Sequence, residues 1–307
     1  MKIDGKLIAS EIKNKLISQV ENLRRRKIIP HLAVIIIGSD PASLIYIKRK
    51  KIFGEEVGVK VTVISQQETE SGGTRKTLVK LVTRLNNDKS VHGIIIQRPV
   101  PIDIEKNVLD RLVIPQKDVD GFHPQSIFNP PIGKAVLRIL DWVMRRCKPN
   151  THGKCISLTP SYKSGKEEFS KKLFNWFKKQ KILIIGRGET AGQPIAKYFH
   201  KLNIPFIVAH SQTKNMKELC LSSDIIISCV GRPHIVRHDM VTPESIVIGV
   251  GLHPENDKLQ TDYNQEEIAK AAGFYTPVPG GVGPVNVACL FKNLIEAASQ
   301  ETPLKLP

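Results

Sequence analysis

The chain has no run approaching the roughly 20 consecutive apolar residues that a membrane-crossing helix needs, and its opening, MKIDGKLIASEIKNK, turns charged before an apolar signal core could form. The expected location is therefore the cytosol. Cysteine is sparse and unpatterned. The five residues Cys147, Cys155, Cys220, Cys229 and Cys289 show neither a CxxC pair nor Cys/His zinc-finger spacing, so reduced thiols are expected and no metal site is assigned. Aromatic residues make up only 6% and form no interleaved RNA-binding motif. Acidic residues are also in deficit, 29 against 46 basic ones, which leaves a net charge of +17. That charge suits an anionic ligand or nucleic acid. Its densest runs, RRRK at 24–27, KRKK at 48–51 and KKLFNWFKKQK at 171–181, fall in or near helical patterns, where such runs are ordinarily solvated faces.

What is present is enough apolar residue for two cores: 41% hydrophobic over 307 residues. Leu7, Ile8, Ile12, Leu16, Ile17, Val20 and Leu23 recur every three to four positions and predict an amphipathic helix over 4–28. Strand-like runs at 31–40, 59–65 and 92–101 then alternate with helix-like segments at 43–58 and 73–88. The same alternation resumes with strands at 181–186, 205–210, 224–231 and 245–251, and helices near 192–202 and 214–222. Alternation of this kind predicts an α/β protein with parallel sheets covered on both faces. The expected organisation is two α/β domains with a cleft between them. Residues 1–145 plus 284–307 form the first, closed by a returning C-terminal helix, and a Rossmann-like nucleotide-binding domain spans 146–283.

Gly186-Arg187-Gly188-Glu189-Thr190-Ala191 fits GxGxxG/A, directly after the strand KILII and before the helix-like GQPIAKYFHKL. In that setting a tight turn brings backbone N–H groups and a helix N-terminus up to a pyrophosphate. The next strand ends in His210, Ser211, Gln212 and Thr213, with no carboxylate to accept hydrogen bonds from a free ribose 2′-hydroxyl. Arg187 can pair with a 2′-phosphate, which favours NADP over NAD; alternatively it is a solvent-facing turn residue.

Tyr46 and Lys50 lie four apart on the predicted helix 43–58 and so share a face, an aromatic plate beside an amine. Gln97 closes the strand in IIIQRPVP, PQKDVDGFH presents Asp118 and Asp120 on a loop, and YTPVPGGVGPVNVACL leads from a Pro/Gly clamp into a helix. With these segments in order, the chain resembles the methylenetetrahydrofolate dehydrogenase/cyclohydrolase family nearly end to end. DGKLIASEI, LAVIIIGSDPASLIYIKRKK, GIIIQRPVP, KDVDGFHP, IIGRGETAGQP, AHSQT, DMVTPESIVIGVG and TPVPGGVGP carry the likeness.

The resemblance implies NADP-dependent oxidation of 5,10-methylenetetrahydrofolate and hydrolysis of the methenyl product to 10-formyltetrahydrofolate, by a homodimer acting on polyglutamylated folate in one-carbon metabolism and purine biosynthesis. It makes Lys50 the general acid/base of hydrolysis, oriented by Gln97, with Tyr46 stacked on the folate and Asp120 accepting hydrogen bonds from the pterin. Pro279, Gly280, Gly281, Gly283 and Pro284 would border the folate. Gly186, Arg187, Gly188, Ala191, His210, Ser211 and Thr213 would hold the dinucleotide.

Most departures from the family pattern cluster on the nucleotide side or its rim, the exception being a cation placed beside the folate pocket. QLPLP becomes Gln97-Arg98-Pro99-Val100-Pro101, PCTPxG becomes SLTPSYKSG at 157–165, and the nucleotide turn has Gly188 in place of serine. VIDVG becomes Val247-Ile248-Gly249-Val250-Gly251, and Asn286 stands where threonine is usual. A cyclohydrolase with a lost or weakened dehydrogenase step is therefore the alternative. A shikimate-type dehydrogenase would share the glycine turn but gives no reason for KDVDGFHP or TPVPGGVGP. A nucleic-acid-binding protein would rest on charge alone.

Overall fold

The computed structural model of the protein describes residues 1–38, 40–65, 75–149, 155–158, 171–255 and 258–300. The altered 157–165 loop, with Thr159 and Pro160, falls almost wholly outside them. Elements are numbered in chain order. The chain divides into two compact units: Ser10–Pro131 with the residues from Val287 onward, and Met1–Ala9 with Ile132–Asn286.

The first unit takes most of α1 (Gly5–Arg25), then β1 (His31–Ile36), α2 (Pro41–Val57), β2 (Lys60–Ser65), α3 (Arg75–Asn87), β3 (Gly93–Ile96) and α4 (Lys106–Leu112). Its parallel sheet has the order β2-β1-β3. β1 is buried along its whole length, and the period of two in side-chain direction splits it between two cores. Leu32, Val34 and Ile36 pack with Leu16, Val20 and Leu23 of α1 and with Leu290, Phe291 and Leu294 near the C-terminus. Ala33 and Ile35 pack with Leu78, Val82 and Leu85 of α3 and Leu109 of α4. Helices therefore cover both faces, which explains why HLAVII and GIII are uninterrupted apolar runs. The Asp40 side chain caps α2 by accepting from the Ser43 amide at 2.7 Å, and Gly58 ends it in the left-handed region at φ 78°.

The second unit contains α5 (Pro131–Arg146) from Ile132 on, β4 (Cys147–Pro149), β5 (Cys155–Leu158), α6 (Lys171–Phe177), β6 (Ile182–Ile185), α7 (Gly192–Lys201), β7 (Ile207–Ala209), α8 (Met216–Leu221), β8 (Ile225–Ser228), β9 (Ile246–Gly249), β10 (Leu252–Glu255), β11 (Lys258–Thr261), α9 (Gln265–Ala271) and β12 (Phe274–Tyr275). α10 (Val282–Ser299) begins here and continues into the first unit. The parallel sheet runs β12-β9-β8-β6-β7, with β4–β5 and β10–β11 as separate antiparallel pairs. β7 pairs on one side of β6 and β8 on the other, so the chain reverses direction across the sheet at the C-terminal end of β6. Crevices for ligands form at such switch points.

This division differs from the 145/146 boundary read from the sequence. The first residues bond to β12, with Ile3 N–H donating to Tyr275 O at 2.8 Å and Tyr275 N–H to Met1 O at 3.0 Å, and so belong with the second unit. α5 also falls there; a side chain at its Gly133 would meet the Tyr198 ring of α7 at 2.8 Å. The β10–β11 hairpin, α4 and α9 went unanticipated. Each is seven residues or fewer per element, and Pro254 inside β10 masks the strand pattern.

Candidate active site and nucleotide turn

In the run KRKK, Lys48 and Lys51 are exposed, whereas Lys50 is only 9% exposed. Its Nζ donates to Gln97 Oε1 at 2.8 Å. Gln97 follows β3 and is fixed by its own N–H, which donates to Ile35 O at 2.8 Å, and by its Nε2, which donates to Arg98 O at 3.1 Å. The amide is thus oriented with its oxygen toward the amine. Tyr46, one turn earlier on α2, is half-buried, with the Arg49 guanidinium carbon 5.8 Å from its ring centre. Burial lowers the pKa of Lys50, an effect that the nearby Asp120 carboxylate opposes. Burial likewise raises that of Asp120, opposed by Lys50 and Arg98. Tyr46 and Lys50 from α2, and Gln97 and Asp120 from two loops, all lie in the first unit.

The two loop aspartates separate cleanly by role. Asp118 turns inward and holds the loop, accepting from His123 N–H at 2.7 Å and Gly121 N–H at 3.1 Å, while Ser126 Oγ donates to its carbonyl at 3.0 Å. Asn293 of α10, fully buried, donates to Val119 O at 2.8 Å and Asn129 O at 3.0 Å and ties the same loop to the core. Asp120 is left facing Lys50.

Burial raises the Asp118 carboxyl to about 6 despite the two amide bonds. A carboxyl that holds its proton more tightly when folded than at its unfolded value near 3.9 favours folding below that value, and this contribution is lost as pH rises through 6. The expected loss is on the order of 3 kcal/mol between pH 4 and 6. Urea unfolding of the wild type and Asp118→Asn across that window checks it: the difference between the two must vary with pH, and parallel curves would count against it.

On the nucleotide side, Gly186 lies at φ 102°, where a side chain would crowd the Cys229 carbonyl at 2.9 Å. A Cβ on Gly192 would lie 2.1 Å from Gly186 O. The close backbone contact that the fingerprint ascribes to its last position therefore falls on Gly192, the first residue of α7, while Ala191 is the residue before the helix. A Cβ on Gly188 would meet nothing within 4 Å. Gly188 and Arg187 are both exposed, leaving bare backbone at the switch point. His210 and Thr213 close a turn beyond β7 through His210 N–H to Thr213 Oγ1 and Thr213 N–H to His210 O, each 2.9 Å, and Ser211 is exposed. These residues fit a dinucleotide: a packed glycine turn with an open outer face, and no acidic side chain where a free 2′-hydroxyl would bind.

Three residues that sequence reasoning passed over shape the rims. Asp262, fully buried, accepts from Ser228 Oγ at 2.5 Å and from the N–H groups of Val230, Gly231 and Arg232 at 2.9, 2.7 and 3.1 Å, fixing the loop after β8. Gln265 grips Val278 in both directions: its Nε2 donates to Val278 O at 2.8 Å and its Oε1 accepts from Val278 N–H at 2.9 Å. Tyr263 donates to Thr276 O at 2.6 Å. Together the last two brace the turn carrying Pro279, Gly280, Gly281, Gly283 and Pro284. Gly281 is itself tight against Pro277 O, at 2.5 Å from an added Cβ. The missing aspartate of VIDVG also has a physical reason. A side chain at Gly249 would run into Thr261 Oγ1 at 2.1 Å and the Tyr263 ring at 2.9 Å. Apart from the Gly281–Pro277 approach, none of these contacts has a sequence signal, since each joins residues 12 to 34 positions apart whose spacing follows no motif.

Residues 3–120 match the tetrahydrofolate dehydrogenase/cyclohydrolase catalytic domain, and residues 167–302 match the NAD(P)-binding domain of the same family. The chain belongs to the tetrahydrofolate dehydrogenase/cyclohydrolase family. Among curated members, the bifunctional protein FolD of Pelagibacter ubique is 37% identical over 306 residues, covering 96% of each chain. That of Moorella thermoacetica is 36% identical over 298 residues, covering 96% of this chain and 98% of its own. The crystal structure of the FolD enzyme of Campylobacter jejuni has a TM-score of 0.79 at 30% identity, covering 97% of this chain and 98% of that one. The Trypanosoma brucei dehydrogenase-cyclohydrolase, solved with NADP cofactor and an inhibitor, also has a TM-score of 0.79, at 26% identity, covering 98% and 97%. Both family domains are therefore present in the two-domain α/β fold that the alternating pattern predicted.

Proposed function

We propose that the protein oxidises 5,10-methylenetetrahydrofolate with NADP and hydrolyses the methenyl product to 10-formyltetrahydrofolate. The observation that carries this is the buried Lys50 amine held at 2.8 Å by Gln97 beside Asp120, in a chain that also bears the family's nucleotide turn. The methenyl carbon is bonded to both N5 and N10 and carries positive charge. Hydrolysis needs water added at that carbon with loss of one proton, then the C–N5 bond broken with a proton delivered to N5 while the remaining hydroxyl proton leaves as the C=O forms; one proton is released overall, and the formyl group stays on N10. Lys50 serves as the base and then as the acid of this sequence. Its lowered pKa supplies the neutral amine that the first transfer requires. Gln97 accepts one amine N–H and so aims the lone pair. Asp120 takes hydrogen bonds from the pterin and Tyr46 packs on its face. Pro279, Gly280, Gly281, Gly283 and Pro284 keep the substrate-bordering role that the resemblance gives them.

When bound, NADP supplies the hydride acceptor for the oxidation. Gly186, Arg187, Gly188 and Ala191 would hold its pyrophosphate side, and His210, Ser211 and Thr213 its ribose. Arg187 would meet the 2′-phosphate, which distinguishes it from NAD. By activity rather than by compact unit, residues 1–145 with 284–307 would serve folate and catalysis, and 146–283 the nucleotide. Acting as a homodimer in the cytosol, on folate with a polyglutamate tail drawn to the chain's excess basic charge, the enzyme would feed formyl groups to purine biosynthesis. Among the described residues no helix is long and apolar enough to cross a membrane.

The test is to supply methylenetetrahydrofolate with NADP⁺ or NAD⁺ and follow nicotinamide reduction and folate products together. Reduction preferring NADP⁺, with 10-formyltetrahydrofolate accumulating, is the expected result. Hydrolysis of added methenyltetrahydrofolate with neither cofactor reduced would instead mean a cyclohydrolase alone.

A further inference from the structure

Arg98 occupies the position where family members usually carry leucine, and it is almost wholly buried, with 4% of its side chain exposed. Its guanidinium bonds to the Asp110 carboxylate of α4 and stacks on Phe122, 3.9 Å from guanidinium carbon to ring centre. A guanidinium held flat by a ring on one side and a carboxylate at its edge has little freedom to swing away. Its backbone carbonyl takes the Nε2 hydrogen of Gln97, and Ser43 Oγ also donates to it at 3.4 Å. Arg98 therefore touches the Lys50 site at two places, through the Gln97 amide and through the loop 118–123 that carries both Phe122 and Asp120.

We propose that Arg98 is a positioning residue for hydrolysis and folate binding, a fixed buried cation that keeps Asp120 a carboxylate for the pterin while its carbonyl sets the orientation of Gln97. This rests on the reading of Lys50, Gln97 and Asp120 as the folate site. Among the described residues, the charged groups acting on Asp120 are Lys50 from α2 and Arg98 from the loop after β3, with Asp118 beside it on its own loop. Asp110 and Lys106 of α4 act through Arg98. Of these, Lys50 and Arg98 both pull the Asp120 carboxyl down against the effect of burial. Lys50 must give up its charge to act as a base, so during that step Arg98 is the cation left to hold Asp120 ionised. A leucine at this position would leave that task to Lys50 alone and tie the state of the pterin acceptor to the state of the base.

The experiment measures kcat and KM for methenyl hydrolysis against pH in wild type, R98L, R98K and R98L/D110N, the double variant removing both charges so that no lone carboxylate is buried. The expected result is an acid limb in kcat/KM shifted upward by about one pH unit in R98L/D110N, a roughly tenfold loss at the acid end. The loss falls on KM, and R98K, which keeps the charge, restores the limb. A purely structural Arg98 would instead lower activity evenly across pH. Profiles of folded R98L/D110N that superimpose on wild type, or that fall uniformly, would overturn the proposal. Lys50→Met is measured alongside: if it hydrolyses at the wild-type rate, the underlying site reading fails instead, and the two failures are distinguishable.

Discussion

Replacing Lys50 with methionine is expected to lower methenyl hydrolysis by about 10²–10⁴-fold, the range that a positioned acid/base contributes. Methionine keeps an unbranched apolar stem at this buried position and removes only the amine, so the loss reports on proton transfer rather than on packing. Gln97 Oε1 loses its 2.8 Å donor but stays anchored through its backbone and Nε2. In the wild type, hydrolysis should rise with pH through a Lys50 pKa below the ordinary lysine value, because only the neutral amine can accept the proton of water. In the methionine variant that rise should disappear. Stopped-flow absorbance of methenyltetrahydrofolate over pH 6–10 reads both effects, and an undiminished rate would remove Lys50 from the mechanism.

Gly192→Ala should do the converse, abolishing most nicotinamide reduction while sparing hydrolysis. The added methyl would sit 2.1 Å from the carbonyl oxygen of Gly186, a backbone atom that cannot swing aside, so the turn must move. A displacement near 1 Å at a site that works by alignment costs about 10²-fold in rate. Gly188→Ser is the matched control, since a Cβ there meets nothing within 4 Å. Assaying both activities on one preparation separates a damaged nucleotide turn from a misfolded chain, and equal reduction by Gly192→Ala and wild type would remove Gly192 from the turn's architecture.

The alternation of apolar strands and amphipathic helices made the two parallel sheets readable from residues alone. β1, β3, β6, β8 and β9 are buried along their whole lengths, and burial on both faces is what an uninterrupted apolar run encodes. That Tyr46 and Lys50 share one face of a helix was readable from their spacing, and that Gln97 closes a strand from the run IIIQRPVP. The distinction between Asp118 and Asp120 was not, because two residues apart on an irregular loop no period fixes which carboxylate turns inward. Nor was the role of Arg98, whose partner Asp110 lies twelve residues away on a seven-residue helix. The glycine fingerprint located the turn at β6, but only the backbone course shows that the tight contact belongs to Gly192.

Val287, Leu290, Phe291, Leu294 and Ile295 complete the core that β1 shares with α1, yet the rest of that unit ends at Pro131. During synthesis the ribosome must add more than a hundred and fifty further residues before this core can close. At about 5–20 residues per second, that leaves its apolar face open for on the order of ten seconds or more. The first half of the nascent chain is thus a natural client for chaperones, and its native state is reached only after the nucleotide-binding sequence has emerged.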